Sequence, residues 1–226
     1  MNKKGINVNM LLNYLLLTFI MVCSIFRYKT IYLESSNILE VSLSNFLYPF
    51  TFLFIILIYK NQNFKEAHKT IIKTAITFIL FLVLISILNT IPGNYYATET
   101  DLALKQVLTP NYFVVNDLLI YYPNILNVLS FTLLYYFSHV LVLILYEAIE
   151  PYAFKTLAFA LAMFIPFTLD TIVFTAINDM AMNVEINKLV IDLTSNFVIV
   201  IIFTIITSLL FFIINKISEK NKIKSL

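Results

Sequence analysis

Charge, glycine, cysteine and tryptophan are all scarce in this chain of 226 residues, and each shortage excludes something. Charged residues make up 12% of it, far below the roughly 25% of a soluble domain. With hydrophobic residues at 60% and a mean hydropathy of +0.88, a water-soluble globule is excluded. Only two glycines are present, and no Gly-rich loop cradles a phosphate, so the chain does not itself hydrolyse ATP to drive work. One cysteine, Cys23, rules out an intramolecular disulfide and any cysteine-built metal site. There is no Trp, while Phe (21) and Tyr (14) are abundant. The two histidines, His68 and His139, lie far apart, and neither a His-Glu-x-x-His pair nor a Gly-x-Ser-x-Gly elbow occurs, so enzyme, cofactor and metal chemistry are not expected. A net charge of +2 is too small to point to nucleic acid.

What is present is apolar runs of spanning length. A crossing needs about 20 mostly apolar residues. Six stretches meet or approach this: about 8–26, 43–59, 71–91, 125–148, 157–177 and 189–214. The expected fold is therefore all-α, a single polytopic membrane domain of six transmembrane helices covering residues 1–226. The first stretch follows Lys3 and Lys4 but has no small-residue cleavage site, and is read as retained. With the N-terminus inside, eleven of the fifteen Lys and Arg residues fall on the cytoplasmic side. The positive-inside rule then places both termini in the cytoplasm, and the bacterial inner membrane is the expected location.

Two outer segments stand out. Arg27 to Ser42 links the first two stretches. Pro92 to Asn124 is the longest loop; it opens on the turn signal Pro92-Gly93-Asn94, has a predicted short helix over Glu99 to Val107, and carries tyrosines suited to a membrane interface.

Asp170 is the residue that costs most. An ionisable group at membrane depth is unfavourable by about 2.5–3.5 kcal/mol on insertion scales, so it faces a cavity or a partner. Pro166, one turn earlier, removes a backbone donor and predicts a kink. Helical spacing puts Asp170 and Phe174 on one face and Thr171 and Thr175 on the next strip. A carboxylate beside an aromatic plate suits a planar ligand bearing N–H donors. A structural bond between helices explains Asp170 equally simply. Other polar residues inside the spans include Ser24, Thr51, His139 and Asn196. Most Ser and Thr of this kind bond the preceding turn, and a packed histidine is the plainer reading of His139. Phe46, Phe50, Phe52 and Phe54 surround Pro49 and read as packing.

These motifs carry a resemblance. Tyr48-Pro49-Phe50-Thr51-Phe52, followed by Ala67-His68-Lys69, resembles the Tyr/Phe-Pro-x-Thr-Phe … Gly-x-x-x-Ala-Arg segment of the queuosine precursor transporter (VUT) family. Cys23-Ser24 through Tyr28 looks like the end of that family's first span. Leu169-Asp170-Thr171-Ile172-Val173-Phe174 is similar to its Asp-Thr-x-x-Phe motif. The likeness in order and spacing runs from about Met21 to Lys224. This sequence departs from the pattern at Ile56, where the family has an acid, at Lys60, its next charged position, and at Asn63 and His68, in place of Gly and Arg. It departs again at Phe167, in place of Gln or Asn, at Ala158, near an Arg, and at Asn196, near a Lys. The resemblance implies import of a 7-deazaguanine-type precursor, a small planar purine-like substrate, by a protein embedded in the lipid bilayer. The candidate substrate-binding set is Asp170, Thr171, Phe174, Ser24, Thr51, Phe52, His139 and Asn196. Two alternatives stay open: the substrate-binding subunit of an ATP-driven vitamin uptake system, and a degenerate, non-transporting membrane protein. The few Gly and Ala residues argue against a face for docking ATPase subunits, and homo-oligomerisation is left open.

Overall fold

The computed structural model describes residues 8–26, 30–32, 40–90, 112–115, 118–121, 125–181 and 186–224. Six long helices occupy the six apolar stretches: α1 (Val8–Phe26), α2 (Tyr48–Asn61), α3 (Phe64–Thr90), α4 (Ile125–Ile149), α5 (Lys155–Ala181) and α6 (Ile186–Lys224). Five helical segments among the described residues are long and apolar enough to cross a membrane; the apolar part of α1, Val8–Ser24, is shorter. The expected helix over Glu99 to Val107 lies outside the described residues.

The bundle itself is all-α, and two small antiparallel hairpins accompany it that hydropathy does not foretell. They pair β1 (Thr30–Tyr32) with β2 (Glu40–Ser42), and β3 (Tyr112–Val115) with β4 (Leu118–Tyr121). The Tyr-Phe-Val-Val and Leu-Leu-Ile-Tyr runs are rich in β-branched and aromatic residues, which fit a pleated surface. Val115 stands opposite Leu118, so only two residues join β3 to β4, the length of the commonest hairpin loops. A single 3-10 turn, Leu43–Phe46, then leads from β2 into α2, where Pro49 sits in the first turn and costs no hydrogen bond.

Local chemistry ends the helices. Between α2 and α3, Asn63 Oδ1 accepts from the Glu66 amide at 2.9 Å, a cap three residues ahead. After α4, Pro151 cannot continue the hydrogen-bond ladder, and the chain turns through Glu150–Ala153 before α5 begins. α5 itself runs unbroken through Pro166.

The bundle keeps its buried polar side chains inside, among an apolar core, and shows an apolar outside. On α6, Asp192, Ser195, Asn196, Thr204, Thr207 and Ser208 turn inward, whereas Ile191, Phe197, Val198, Ile201, Ile205 and Leu209 face out. α3, α4 and α5 likewise expose large aliphatic and aromatic side chains along their outer faces. Water would penalise that surface and lipid does not, so the distribution is that of a multi-pass membrane protein. At 39 residues α6 is about 58 Å long, roughly twice a 30 Å hydrocarbon core, and its lysine-rich end extends past its apolar segment.

α5 packs most extensively on α6 and α4, and α1 on α2. The aromatic run around Pro49 divides among neighbours, as a 100° step per residue requires. Phe50 and Phe54 meet Phe19 of α1, with centroids 6.0 and 5.1 Å away. Phe46 meets Phe203 of α6 at 5.2 Å, and Phe52 alone points to α4. Lys60 Nζ donates to Asn215 Oδ1 at 2.5 Å, tying the end of α2 to α6. The same end of the bundle holds a cavity of about 530 Å³ lined by Tyr59, Lys60, Asn63, Lys65, Glu147 and Glu150.

Candidate functional site

At the centre of the bundle is His139, which has no exposed surface. Its Nδ1 lies 2.8 Å from the Tyr135 carbonyl oxygen, one helical turn back, and its Nε2 lies 2.8 Å from Thr51 Oγ1 on α2. A carbonyl only accepts, so Nδ1 carries a proton. Thr51 Oγ1 also lies 2.6 Å from the Tyr48 carbonyl oxygen. Its single hydrogen therefore has two possible acceptors. With one proton on the imidazole, that hydrogen points to Nε2; with two, Nε2–H donates to Thr51 and the hydrogen turns to Tyr48.

Aromatic rings enclose this imidazole. The centroids of Tyr135, Phe52 and Tyr48 stand 4.2, 4.5 and 5.6 Å from that of His139. Behind them Phe167 of α5 lies 6.1 Å from Phe52 and 6.2 Å from Tyr48. Phe167 is itself fully buried. Here an apolar ring completes a wall that a side-chain amide would leave polar.

Asp170 sits on α5 beside the residue before His139. Ser138 Oγ donates to Asp170 Oδ1 across 3.5 Å, a long and weak bond, and Asp170 is only 3% exposed. It borders a cleft of about 280 Å³ between α4 and α5, whose α5 wall is Pro166, Leu169, Asp170 and Val173. Phe174 is half-buried and does not line this cleft. The expected pairing of carboxylate and Phe174 plate is replaced there by aliphatic walls. The reason is angular: relative to Asp170, Phe174 lies roughly 40° to one side of the helix and Val173 roughly 60° to the other. The cleft takes the Val173 side.

The strip beyond Phe174 meets α6. Asn196 Nδ2 donates to Thr175 Oγ1 at 3.4 Å and to the Asp192 carbonyl at 2.9 Å, while its Oδ1 accepts from Asn45 Nδ2 at 2.7 Å. Asn196 thus ties α5, α6 and the turn before α2 together, away from His139. Thr171 is buried, and its hydroxyl has no hydrogen-bond partner among the described residues. Ser24 donates to the Met21 carbonyl at 2.7 Å within its own helix, the local bond common for serine in an apolar helix.

The structure therefore joins Thr51, Phe52 and His139 directly, sets Asp170 beside them through Ser138, and leaves Asn196 and Ser24 in separate contacts. Tyr135 was not singled out by sequence, and Ser138 only as one of the polar residues of the fourth span. The available signal was position: Tyr135 is four residues before His139, and Ser138 is its immediate neighbour. Ile56 and Ala158 are fully buried in the apolar core. His68 Nε2 contacts Tyr136 Oη at 3.1 Å, joining α3 to α4. Groups of three or more His, Cys, Asp or Glu able to hold a metal do not occur among the described residues. No protein-family model, curated protein or solved structure matches the chain.

Proposed function

We propose that this protein is a small secondary permease that carries a planar, donor-bearing solute across the bacterial inner membrane into the cytoplasm. It crosses six times and keeps both termini on the cytoplasmic side. α1, with 19 residues and a length of about 28 Å, supplies the sixth crossing. The ends of α2 and α4, the start of α3 and the lysine-bearing part of α6 gather at one end of the bundle, which supports an up-and-down path with the basic end inside.

One observation carries the reading: the carboxylate of Asp170 is buried on α5 in the middle of an apolar run, against α4. Such groups are expensive in a membrane and are kept where a solute or an ion passes. Asp170 supplies an acceptor for N–H donors, while His139 and its fully buried rings brace the α2–α4 contact beside it. Together with the motif around Asp170, this acceptor favours a purine-like solute of the 7-deazaguanine type. Thr51 and Phe52 position the histidine, and Thr171 offers a spare hydroxyl next to the carboxylate.

The test is uptake of labelled 7-deazaguanine bases by cells expressing the chain without any ATPase subunit, with and without a proton gradient. Asp170→Asn is expected to abolish uptake while membrane abundance stays unchanged. Wild-type uptake by that variant would remove Asp170 from the transport path, and uptake that requires added ATPase subunits would replace the permease with a binding subunit.

A further inference from the structure

The outward face of α3 changes chemistry along its length. Lys65, Lys69 and Lys73 are exposed near its start, and Ile76, Leu80 and Val83 follow them at 54%, 62% and 50% exposure. With 3.6 residues per turn all six fall within about 80° of arc, so they form one stripe that turns from cationic to aliphatic. In a membrane-embedded bundle the aliphatic part meets acyl chains, and the lysines then stand where the stripe leaves the hydrocarbon. A headgroup layer is roughly 5–8 Å deep, and Lys69 and Lys73 are about 6 Å apart along the axis. Side chains on a helix lean toward its N-terminus, so the stem of Lys73 slants back toward Lys69 and out of the hydrocarbon.

The positive charge here is only partly offset. Glu66 pairs with Lys69 at 2.6 Å, and both side chains of the pair are exposed, where such bridges are weak. Lys65 also borders the cavity lined by Glu147 and Glu150 of α4, which makes Lys69 and Lys73 the centre of the positive charge. We propose that this stripe is a docking surface for anionic phospholipids, with the phosphate against Lys69 and Lys73, Lys65 at the edge, and the acyl chains along Ile76, Leu80 and Val83. The match holds at both ends. A phosphate diester accepts charge-assisted hydrogen bonds from ammonium groups, and the chains attached to it lie along the aliphatic run. A zwitterionic lipid brings an ammonium of its own, which the lysines repel, so the surface selects a headgroup of net negative charge. Free phosphate would meet the lysines and leave the aliphatic part of the stripe unused. The proposal does not rest on the permease reading, because it concerns the outer face of α3 and not Asp170 on α5.

The absence of tryptophan makes the test direct, because one introduced indole reports alone. Ile76→Trp places that indole one turn beyond Lys73 on the same stripe, and Leu133→Trp on the exposed face of α4 serves as the reference. In nanodiscs, quenching by dibrominated phosphatidylglycerol is compared with quenching by dibrominated phosphatidylcholine. At the Ile76→Trp position a preference of about fivefold for phosphatidylglycerol is expected, the factor that corresponds to about 1 kcal/mol for one lysine near an anionic surface. The Leu133→Trp indole is expected to show no preference, and added salt is expected to weaken the preference at the first position. Adding Lys65→Gln, Lys69→Gln and Lys73→Gln together is expected to remove it, whereas Lys→Arg at the same three positions is expected to keep it. The lysines of α6 stay in place in both variants, so the general basicity of that end does not account for a loss. Should the Gln variant fail to elute as a monodisperse species, the salt response and the comparison of the two indole positions decide the matter. An equal preference at both positions, or one that survives the three Gln substitutions, would overturn the surface. Displacement of the lipid by soluble glycerol phosphate would overturn lipid as its occupant. Because the readout is lipid contact, loss of uptake in the transport assay leaves this result unaffected, and a failed quenching experiment leaves the permease reading standing.

Discussion

Ser138 and His139 are neighbours on one helix, yet they belong to two different kinds of polar site. His139 turns inward, where both ring nitrogens have partners and three aromatic rings close around it. Ser138 turns toward α5, where it reaches Asp170 by a long bond beside an apolar cleft on the outer face. The difference separates a closely packed polar contact from a loosely held one within one turn. A polar group enclosed on every side by its contacts is part of how α2 and α4 recognise each other. The Asp170 carboxylate, only 3% exposed, instead lies behind the wall of a cleft and is reached by Ser138 across a long bond.

The contrast can be broken most sharply by removing each side chain in turn and measuring stability. His139→Ala leaves Thr51 and the Tyr135 carbonyl short of a partner and opens a cavity among packed rings. It is expected to lower stability by about 3 kcal/mol or more, seen as a depressed melting temperature in detergent. Asp170→Leu, by contrast, replaces a costly carboxylate next to an apolar cleft with a residue of similar size, and is expected to leave the melting temperature unchanged or raised. Equal losses for the two would mean that Asp170 is as much a structural bond as His139.

Thr51→Val sharpens the same comparison on a smaller scale. It keeps the shape and deletes the hydroxyl between Nε2 and Tyr48, so a loss of about 1–2 kcal/mol is expected. No loss would show that the imidazole is held by ring packing alone. Ser138→Ala should have the smallest effect, below about 0.5 kcal/mol in the melting temperature series, because a 3.5 Å contact is a poor hydrogen bond. A larger loss would move Asp170 into the architectural class.

Much of this was legible in the residues. Long apolar runs have to be helical in lipid, since the backbone has no other donor or acceptor there, and all six runs are helices. The β-hairpins were not anticipated because they fall in the segments between runs, where hydropathy says little. Thr51, Phe52 and His139 were each visible as candidates, but not as one cluster. Their contact spans 88 residues between Thr51 and His139, and periodicity assigns a residue to a face of its own helix without naming the neighbour across from it.

For Asp170 itself the division is plain. Composition and hydropathy alone determined that this chain belongs in a membrane and that Asp170 is an expensive residue within it, because the penalty for a carboxylate in hydrocarbon depends on the group and not on the fold. Only the tertiary structure decided which way that carboxylate turns. Packing α5 between α4 and α6 sends Thr175 toward Asn196, leaves Phe174 between, and brings Asp170 to the α4 side next to Ser138. A helix places its side chains at fixed angles, but the angle at which it meets its neighbours is set by how all their surfaces fit together.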